Sequence, residues 1–157
     1  MKKKILVLED NLVELEDFKQ FLGEEYDVFP ASRTDIADEI LTKYGNEIDC
    51  VVFDLNISSE FLATEHKEKT VDGTLTGWIW YFYNAKCRLK EDTYAMISSG
   101  FMNEFSDYIS ENCVLSSSEE KQFYNEYKDK KIICVSKRSI INEYEAVANE
   151  IARRLST

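Results

Sequence analysis

The residues of this sequence that could do chemistry together each follow an apolar run. Glu9 and Asp10 follow the first run, Asp54 the third, Ser98 the fourth and Lys137 the fifth. Carboxylates that lie close together repel one another, and a hard divalent cation such as Mg²⁺ relieves that repulsion. A lysine ammonium and a serine hydroxyl suit the oxygens of a phosphoryl group. The set therefore favours phosphoryl transfer, with Asp54 as the nucleophile.

Each of these features has an ordinary structural explanation when it is taken alone. An acidic pair after a strand commonly begins a helix, and an Asp that closes a strand is commonly a turn residue. A lysine after a strand is usually solvated, and a Ser-Ser-Gly sequence is usually a loop. The order in which the features follow successive strand-like runs is what favours a shared site.

Short apolar runs alternate with stretches of helical spacing along the chain. The strand-like runs lie at about 3–8, 26–31, 49–53, 94–97 and 131–136. Helical spacing occurs at about 12–22, 34–44, 77–89 and 139–155, with two further helical stretches inside 101–130. This alternation predicts an α/β fold, a parallel sheet with helices on both faces. In such sheets the ligand site lies beyond the carboxyl ends of the strands, where the polar residues fall.

Length and charge limit the classes of partner. The 157 residues suit one domain, and the net charge of −11 repels nucleic-acid phosphates and anionic lipid headgroups. The apolar run Ile5 to Leu8 is too short for a signal peptide or a membrane span. We therefore expect a cytoplasmic protein that binds neither nucleic acid nor membrane directly.

The cysteine pattern argues against zinc and disulfides. Cys50, Cys87, Cys113 and Cys134 form no C-x-x-C pair, and His66 is the only histidine. Cys50 and Cys134 fall in strand-like runs, where buried free thiols are expected.

Four segments resemble the receiver domain of two-component response regulators, and the resemblance extends over nearly the whole chain. Lys3–Asn11 resembles the first strand and acidic pair of that family, and Val51–Asn56 resembles its phosphoacceptor strand. Ala95–Ser99 resembles the fourth strand with its switch hydroxyl, and Ile133–Lys137 carries the matching lysine.

The resemblance implies a flavodoxin-like, doubly wound five-stranded parallel sheet of order 2-1-3-4-5. It implies phosphorylation of Asp54, with Mg²⁺ held by Glu9, Asp10, Asp54 and the Asn56 backbone carbonyl. It also implies that a sensor histidine kinase or a phosphotransfer protein donates the phosphoryl group. The only catalysis implied is phosphorylation and dephosphorylation of the chain's own Asp54, and output would pass through an unknown protein partner.

The sequence also departs from the family pattern. Arg138 stands where a proline usually follows the lysine, and Cys134 occupies the aromatic switch position. The stretches from Asp54 to Gly77 and from Ser98 to Lys137 are longer than usual. We therefore expect a single receiver-like domain over 1–157 with insertions at about 57–76 and 101–130. Insertions of this length beside a site are more typical of lids or partner-binding surfaces than of loops that are merely tolerated.

The aromatic run 78–83 wraps more than one helix face, so the sheet cannot cover all of it. Packing beneath an insertion is favoured over a partner or homodimer patch. His66, in the first insertion, is expected to be solvated.

Two other functions remain open. The chain could be a receiver-like interaction module that works without phosphorylation, which the missing proline and aromatic residue favour. It could also be a metal-dependent phosphatase with an aspartyl nucleophile, although Asn56 stands where such enzymes need a general acid.

Overall fold

The protein is described here by a computed structural model. The structure describes residues 1–70, 73, 75–99, 132–136 and 143–155. For 132–136, 143 and 144 it describes the backbone alone. The second predicted insertion, at about 101–130, lies outside the described residues.

The sheet consists of β1 (Lys4–Leu8), β2 (Asp27–Ala31), β3 (Cys50–Phe53), β4 (Tyr94–Ser99) and β5 (Ile132–Ser136). The strands follow the order β2-β1-β3-β4-β5, and every adjoining pair is parallel. The predicted fold class and strand order are therefore confirmed.

The helices are α1 (Leu12–Gly23), α2 (Thr34–Tyr44), α3 (Thr64–Lys67), α4 (Thr76–Trp80) and α5 (Glu143–Leu155). A 3₁₀ turn, Gly45–Glu47, follows α2. Helix α4 continues through a π-helical turn, Tyr81–Ala85, and a 3₁₀ turn, Lys86–Arg88. None of the helices among the described residues combines the length and the hydrophobicity that a membrane span requires.

One face of the sheet is covered by α1 and α5. Alternate strand residues project to this face, as the period of a strand requires. The buried residues of this layer are Ile5, Val7, Cys50, Val52 and Met96 from the sheet, Leu15, Phe18 and Leu22 from α1, and Val147 and Ile151 from α5.

The opposite face is covered by α2, α4 and the segment that leads into α4. Its buried residues include Leu6, Leu8, Val51, Phe53, Ala95 and Ile97 from the sheet, Ala37 and Leu41 from α2, Ile57, Leu62 and Leu75 from the leading segment, and Trp78, Ile79, Trp80 and Tyr81 from the aromatic run. The aromatic run thus packs together with the segment that precedes it, which is the arrangement that the sequence favoured.

A polar contact fixes α4 against α2 within this layer. The Trp80 indole N–H donates to Asp38 Oδ1 at 2.9 Å, and the Asn84 amide donates to Asp38 Oδ2 at 3.4 Å. Burial raises the pKa of Asp38 above its ordinary value, although these hydrogen bonds and the nearby Arg88 charge oppose the change. Trp80 therefore buries a large ring without leaving its N–H unsatisfied.

The expectation that His66 is solvated is wrong. Its side chain is only 17% exposed, and its ring stacks on Tyr83 with 4.7 Å between the centroids. The Lys69 ammonium lies 5.6 Å from the Tyr83 ring centroid. The half-buried end of the aromatic run offers an apolar surface to His66, and the sequence alone does not show this contact.

Candidate functional site

Strand register brings three of the predicted site residues to one edge of the sheet. Leu8 pairs with Phe53, and Phe53 pairs with Ile97. Glu9 and Asp54 directly follow β1 and β3, and Ser98 is the next residue of β4. The hydrogen-bonded pairing of β1 with β3 continues to Asp54, because the Asp54 N–H donates to the Leu8 carbonyl at 3.2 Å. The three residues therefore lie side by side at the carboxyl ends of β1, β3 and β4.

The three side chains also share a face. Val7, Val52 and Met96, each two residues earlier on its strand, lie in the layer covered by α1 and α5. Because strand side chains repeat every second residue, Glu9, Asp54 and Ser98 are directed toward that same layer. Because α1 packs on this face, it can add a further side chain to the set.

Glu14 of α1 completes a group of three carboxylates. Glu9, Glu14 and Asp54 each offer one oxygen, and these oxygens all lie within 4.8 Å of one another. Glu9 is only 3% exposed and Asp54 only 9%, whereas Glu14 is half-buried. Two like charges about 4 Å apart repel by about 1 kcal/mol in water and by about 4 kcal/mol near a protein surface. The arrangement is therefore costly unless a positive charge offsets the repulsion.

The start of α1 places Glu14 in this position. The Asn11 Oδ1 atom accepts hydrogen bonds from the N–H groups of Val13 at 3.1 Å and Glu14 at 3.2 Å. The buried side chains of Leu15 and Phe18 hold the helix on the sheet. Sequence reasoning missed Glu14 because an acidic residue three positions after an N-cap is a common helix-start feature by itself.

Asp10 and Asn56 lie at the same edge but outside this group. The Asp10 side chain is exposed, and it is not one of the three clustered carboxylates. The Asn56 backbone N–H donates to Asp54 Oδ1 at 3.3 Å, and the Asn56 side chain is exposed. Their predicted roles as metal ligands stay predictions.

Ser98 carries a buried hydroxyl group. The residue is 2% exposed, and its Oγ has no hydrogen-bond partner among the residues that the structure describes. Leaving such a group unsatisfied costs about 1 to 3 kcal/mol. A hydroxyl in that state, beside Asp54, is poised to bond an oxygen that arrives with a ligand.

Lys137 follows directly on β5, whose last residue, Ser136, pairs with Ser99 of β4. Lys137 itself lies outside the described residues, as do Arg138 and the side chain of Cys134. The lysine therefore stays a prediction of the sequence.

The donor set suits a hard cation. Carboxylate oxygens are the ligands that Mg²⁺ and Ca²⁺ prefer, whereas zinc sites rely on sulfur and imidazole nitrogen. The three clustered residues offer only carboxylate oxygens as ligands. Strand register places one further polar group, the Ser98 hydroxyl, beside Asp54. The residues present thus fit the divalent ion that the resemblance implies.

Several solved structures that resemble the chain are receiver domains. A response-regulator receiver domain protein from Clostridium thermocellum is 17% identical with a TM-score of 0.61, over 98% of this chain and 97% of that one. The Vibrio cholerae chemotaxis protein CheY4 is 15% identical with a TM-score of 0.60, over 98% of each chain. The BeF₃-activated DrrB receiver domain is 15% identical with a TM-score of 0.58, over all of both chains. The chain has the receiver-domain fold.

No family model matches the chain, and none of the curated proteins matches it. At these identities the structural likeness establishes the receiver fold alone. The receiver fold places the carboxyl ends of β1, β3 and β4 at a common edge, which is where the carboxylate group and Ser98 lie. Any chemistry at this edge depends on those residues.

Proposed function

We propose that the chain is a receiver of two-component signalling that accepts a phosphoryl group on Asp54. The donor is a phosphohistidine of a sensor histidine kinase or a phosphotransfer protein. One observation carries the proposal: Asp54 stands at the edge of a receiver fold with two carboxylates within 4.8 Å and the buried Ser98 hydroxyl beside it.

The chemistry is an attack by an Asp54 carboxylate oxygen on phosphorus. The phosphorus–nitrogen bond of phosphohistidine breaks, and its electron pair stays with the departing imidazole. The product is an acyl phosphate on Asp54. Water later attacks the same phosphorus, which returns the free carboxylate and releases inorganic phosphate. Positioning and charge neutralisation supply most of the catalysis in such transfers.

The side chains of Glu9, Asp10 and Asp54 and the backbone carbonyl of Asn56 would hold Mg²⁺. The bound ion supplies positive charge to the phosphoryl oxygens. The Ser98 hydroxyl would donate a hydrogen bond to one phosphoryl oxygen, and the Lys137 ammonium would pair with another.

Output would pass through protein contacts. Reorientation of Ser98 toward the phosphoryl group would shift the surface around β5 and α5 between two populations. A partner protein, or a second copy of this chain, would read that shift. A net charge of −11 disfavours nucleic acid as the reader, and we infer a cytoplasmic location for the protein. We also infer that residues 1–157 form one receiver-like domain with insertions at about 57–76 and 101–130.

Acetyl phosphate with Mg²⁺ tests the proposal directly. Intact-mass measurement is expected to show one added phosphoryl group on the wild-type chain and none on Asp54→Asn. Asp92→Asn, which removes a carboxylate at an exposed position, is the matched control and should be phosphorylated like the wild type. Omission of Mg²⁺ should abolish the reaction.

Intact mass, spectra with beryllofluoride and turnover of phosphate esters together separate the competing functions. An unchanged mass together with unchanged spectra in beryllofluoride would favour an interaction module that works without phosphorylation. Turnover of small phosphate esters that disappeared in Asp54→Asn would favour a phosphatase.

A further inference from the structure

Glu14 is the carboxylate of the site that the sequence resemblance does not account for. It belongs to the first turn of α1, and its oxygen lies within 4.8 Å of those of Glu9 and Asp54. An acidic residue in a first turn is stabilised by the helix dipole wherever it points. Proximity to two nearly buried carboxylates on separate strands therefore needs another explanation.

The spacing of the three oxygens suits a single ion. Two oxygens on opposite sides of Mg²⁺ lie about 4.2 Å apart, and for Ca²⁺ the separation is about 4.6 to 5.2 Å. Oxygens no more than 4.8 Å apart can therefore contact one ion together after small side-chain adjustments. Exposed Glu16, two residues on, instead accepts a hydrogen bond from Gln20 at 3.4 Å.

The Ser98 hydroxyl is a second observation that points to a ligand at this edge of the sheet. It is buried, it has no partner among the described residues, and it shares the face of Glu9 and Asp54. A cluster of negative charge beside an unsatisfied donor is suited to a cation that brings further oxygens, such as water or phosphoryl oxygens.

We propose that Glu14 is a further carboxylate ligand of the divalent cation, beside Glu9 and Asp54, and that α1 supplies it. The inference rests on the cation of the proposed function and adds a residue to its site. With Glu14 added, the number of carboxylates at the site lies well above the one or two with which Mg²⁺ is usually bound. The extra ligand strengthens cation binding and ties the start of α1 to the ends of β1 and β3.

Calorimetric titration with magnesium chloride tests the assignment without phosphorylation. Glu14→Gln, which keeps the shape and removes the charge, should weaken Mg²⁺ binding by about tenfold or more, a loss found even for partners that do not touch a metal. Glu16→Gln is the matched control on the same helix and should bind like the wild type.

Thermal unfolding gives a second readout that distinguishes a ligand from a packing residue. Without Mg²⁺, Glu14→Gln should unfold at a higher temperature than the wild type, because one repelling charge is gone. Addition of saturating Mg²⁺ should raise the unfolding temperature of Glu14→Gln by less than it raises that of the wild type. A Glu14→Gln protein that is less stable in both conditions, with the wild-type gain on Mg²⁺ addition, would overturn the assignment.

The outcomes separate this inference from the proposed function. If Glu9→Gln and Asp54→Asn weaken Mg²⁺ binding and Glu14→Gln does not, Glu14 is no ligand and the receiver proposal stands. If the wild type binds no Mg²⁺ at millimolar concentration, both the assignment and the metal of the proposed function fail.

Discussion

The backbone of Gly77 packs directly on the carbonyl group of Asp54. A Cβ atom at position 77 would overlap the Asp54 carbonyl oxygen and lie 3.1 Å from the Phe53 ring. The Gly77 N–H also donates to the Leu55 carbonyl at 3.0 Å. The start of α4 is therefore seated on the end of β3, at the residue proposed to carry the phosphoryl group.

Gly77→Ala should destabilise the protein, because backbone atoms must move to admit the methyl group. Overpacking of this kind costs about 1 to 3 kcal/mol of unfolding free energy. Denaturant unfolding is the measurement. Gly23→Ala is the control, since a Cβ there meets nothing within 4 Å. Equal stability of the two variants would contradict the close packing.

Ser98→Ala should leave the unfolding free energy unchanged or raise it by about 1 kcal/mol, because a buried hydroxyl without a partner is a cost in the folded state. The change in near-ultraviolet circular dichroism on addition of beryllofluoride should shrink in the same variant. Thr93→Val is the contrast: its hydroxyl donates to the Ile48 carbonyl at 2.8 Å, so its removal should destabilise by about 1 kcal/mol. A Ser98→Ala protein as destabilised as Thr93→Val would show that the hydroxyl is satisfied.

Asp49, which directly precedes β3, contacts β1 and the segment that leads into β4 at the opposite edge of the sheet. Its Oδ1 accepts from the Lys90 ammonium at 2.6 Å, and its Oδ2 accepts from the Lys4 backbone N–H at 2.8 Å. Burial alone would raise the pKa of Asp49, but these hydrogen bonds outweigh it and hold the pKa below the ordinary value of 3.8.

Asp49→Asn should therefore lose stability in a pH-dependent way. A lowered folded-state pKa contributes stability above the ordinary value of 3.8, and that contribution is lost as the pH falls through the folded-state pKa. We expect a loss of about 1.5 to 3 kcal/mol near neutral pH, which shrinks in strong acid. Denaturant unfolding across pH measures it. A loss of stability that grew as the pH fell would contradict the lowered pKa of Asp49.

The two thiols that the structure describes should differ sharply in reactivity. Burial raises the pKa of Cys50 to about 12, whereas Cys87 is exposed. Because the thiolate is the reactive form, iodoacetamide should modify Cys87 in the native protein and Cys50 only after unfolding. Peptide mapping by mass spectrometry checks this, with denatured protein as the control. Similar rates at Cys50 and Cys87 in the native state would contradict the burial of Cys50.

The alternation of apolar runs and the polar residues after them were enough to predict the parallel sheet and the edge at which Glu9, Asp54 and Ser98 meet. These are consequences of local pattern, since a strand that is buried on both faces needs an apolar run and parallel strands end at one edge. The strand order itself came from the resemblance of motifs to the receiver family.

Tertiary packing decided what local pattern could not. Glu14 reaches the site because Leu15 and Phe18 seat α1 on the sheet, and no feature of its own sequence neighbourhood distinguishes it from an ordinary first-turn acid. His66 is covered because Tyr83 lies beside it. Both contacts join residues on different elements, and such contacts depend on how helices and loops dock, which a one-dimensional pattern of polarity does not encode.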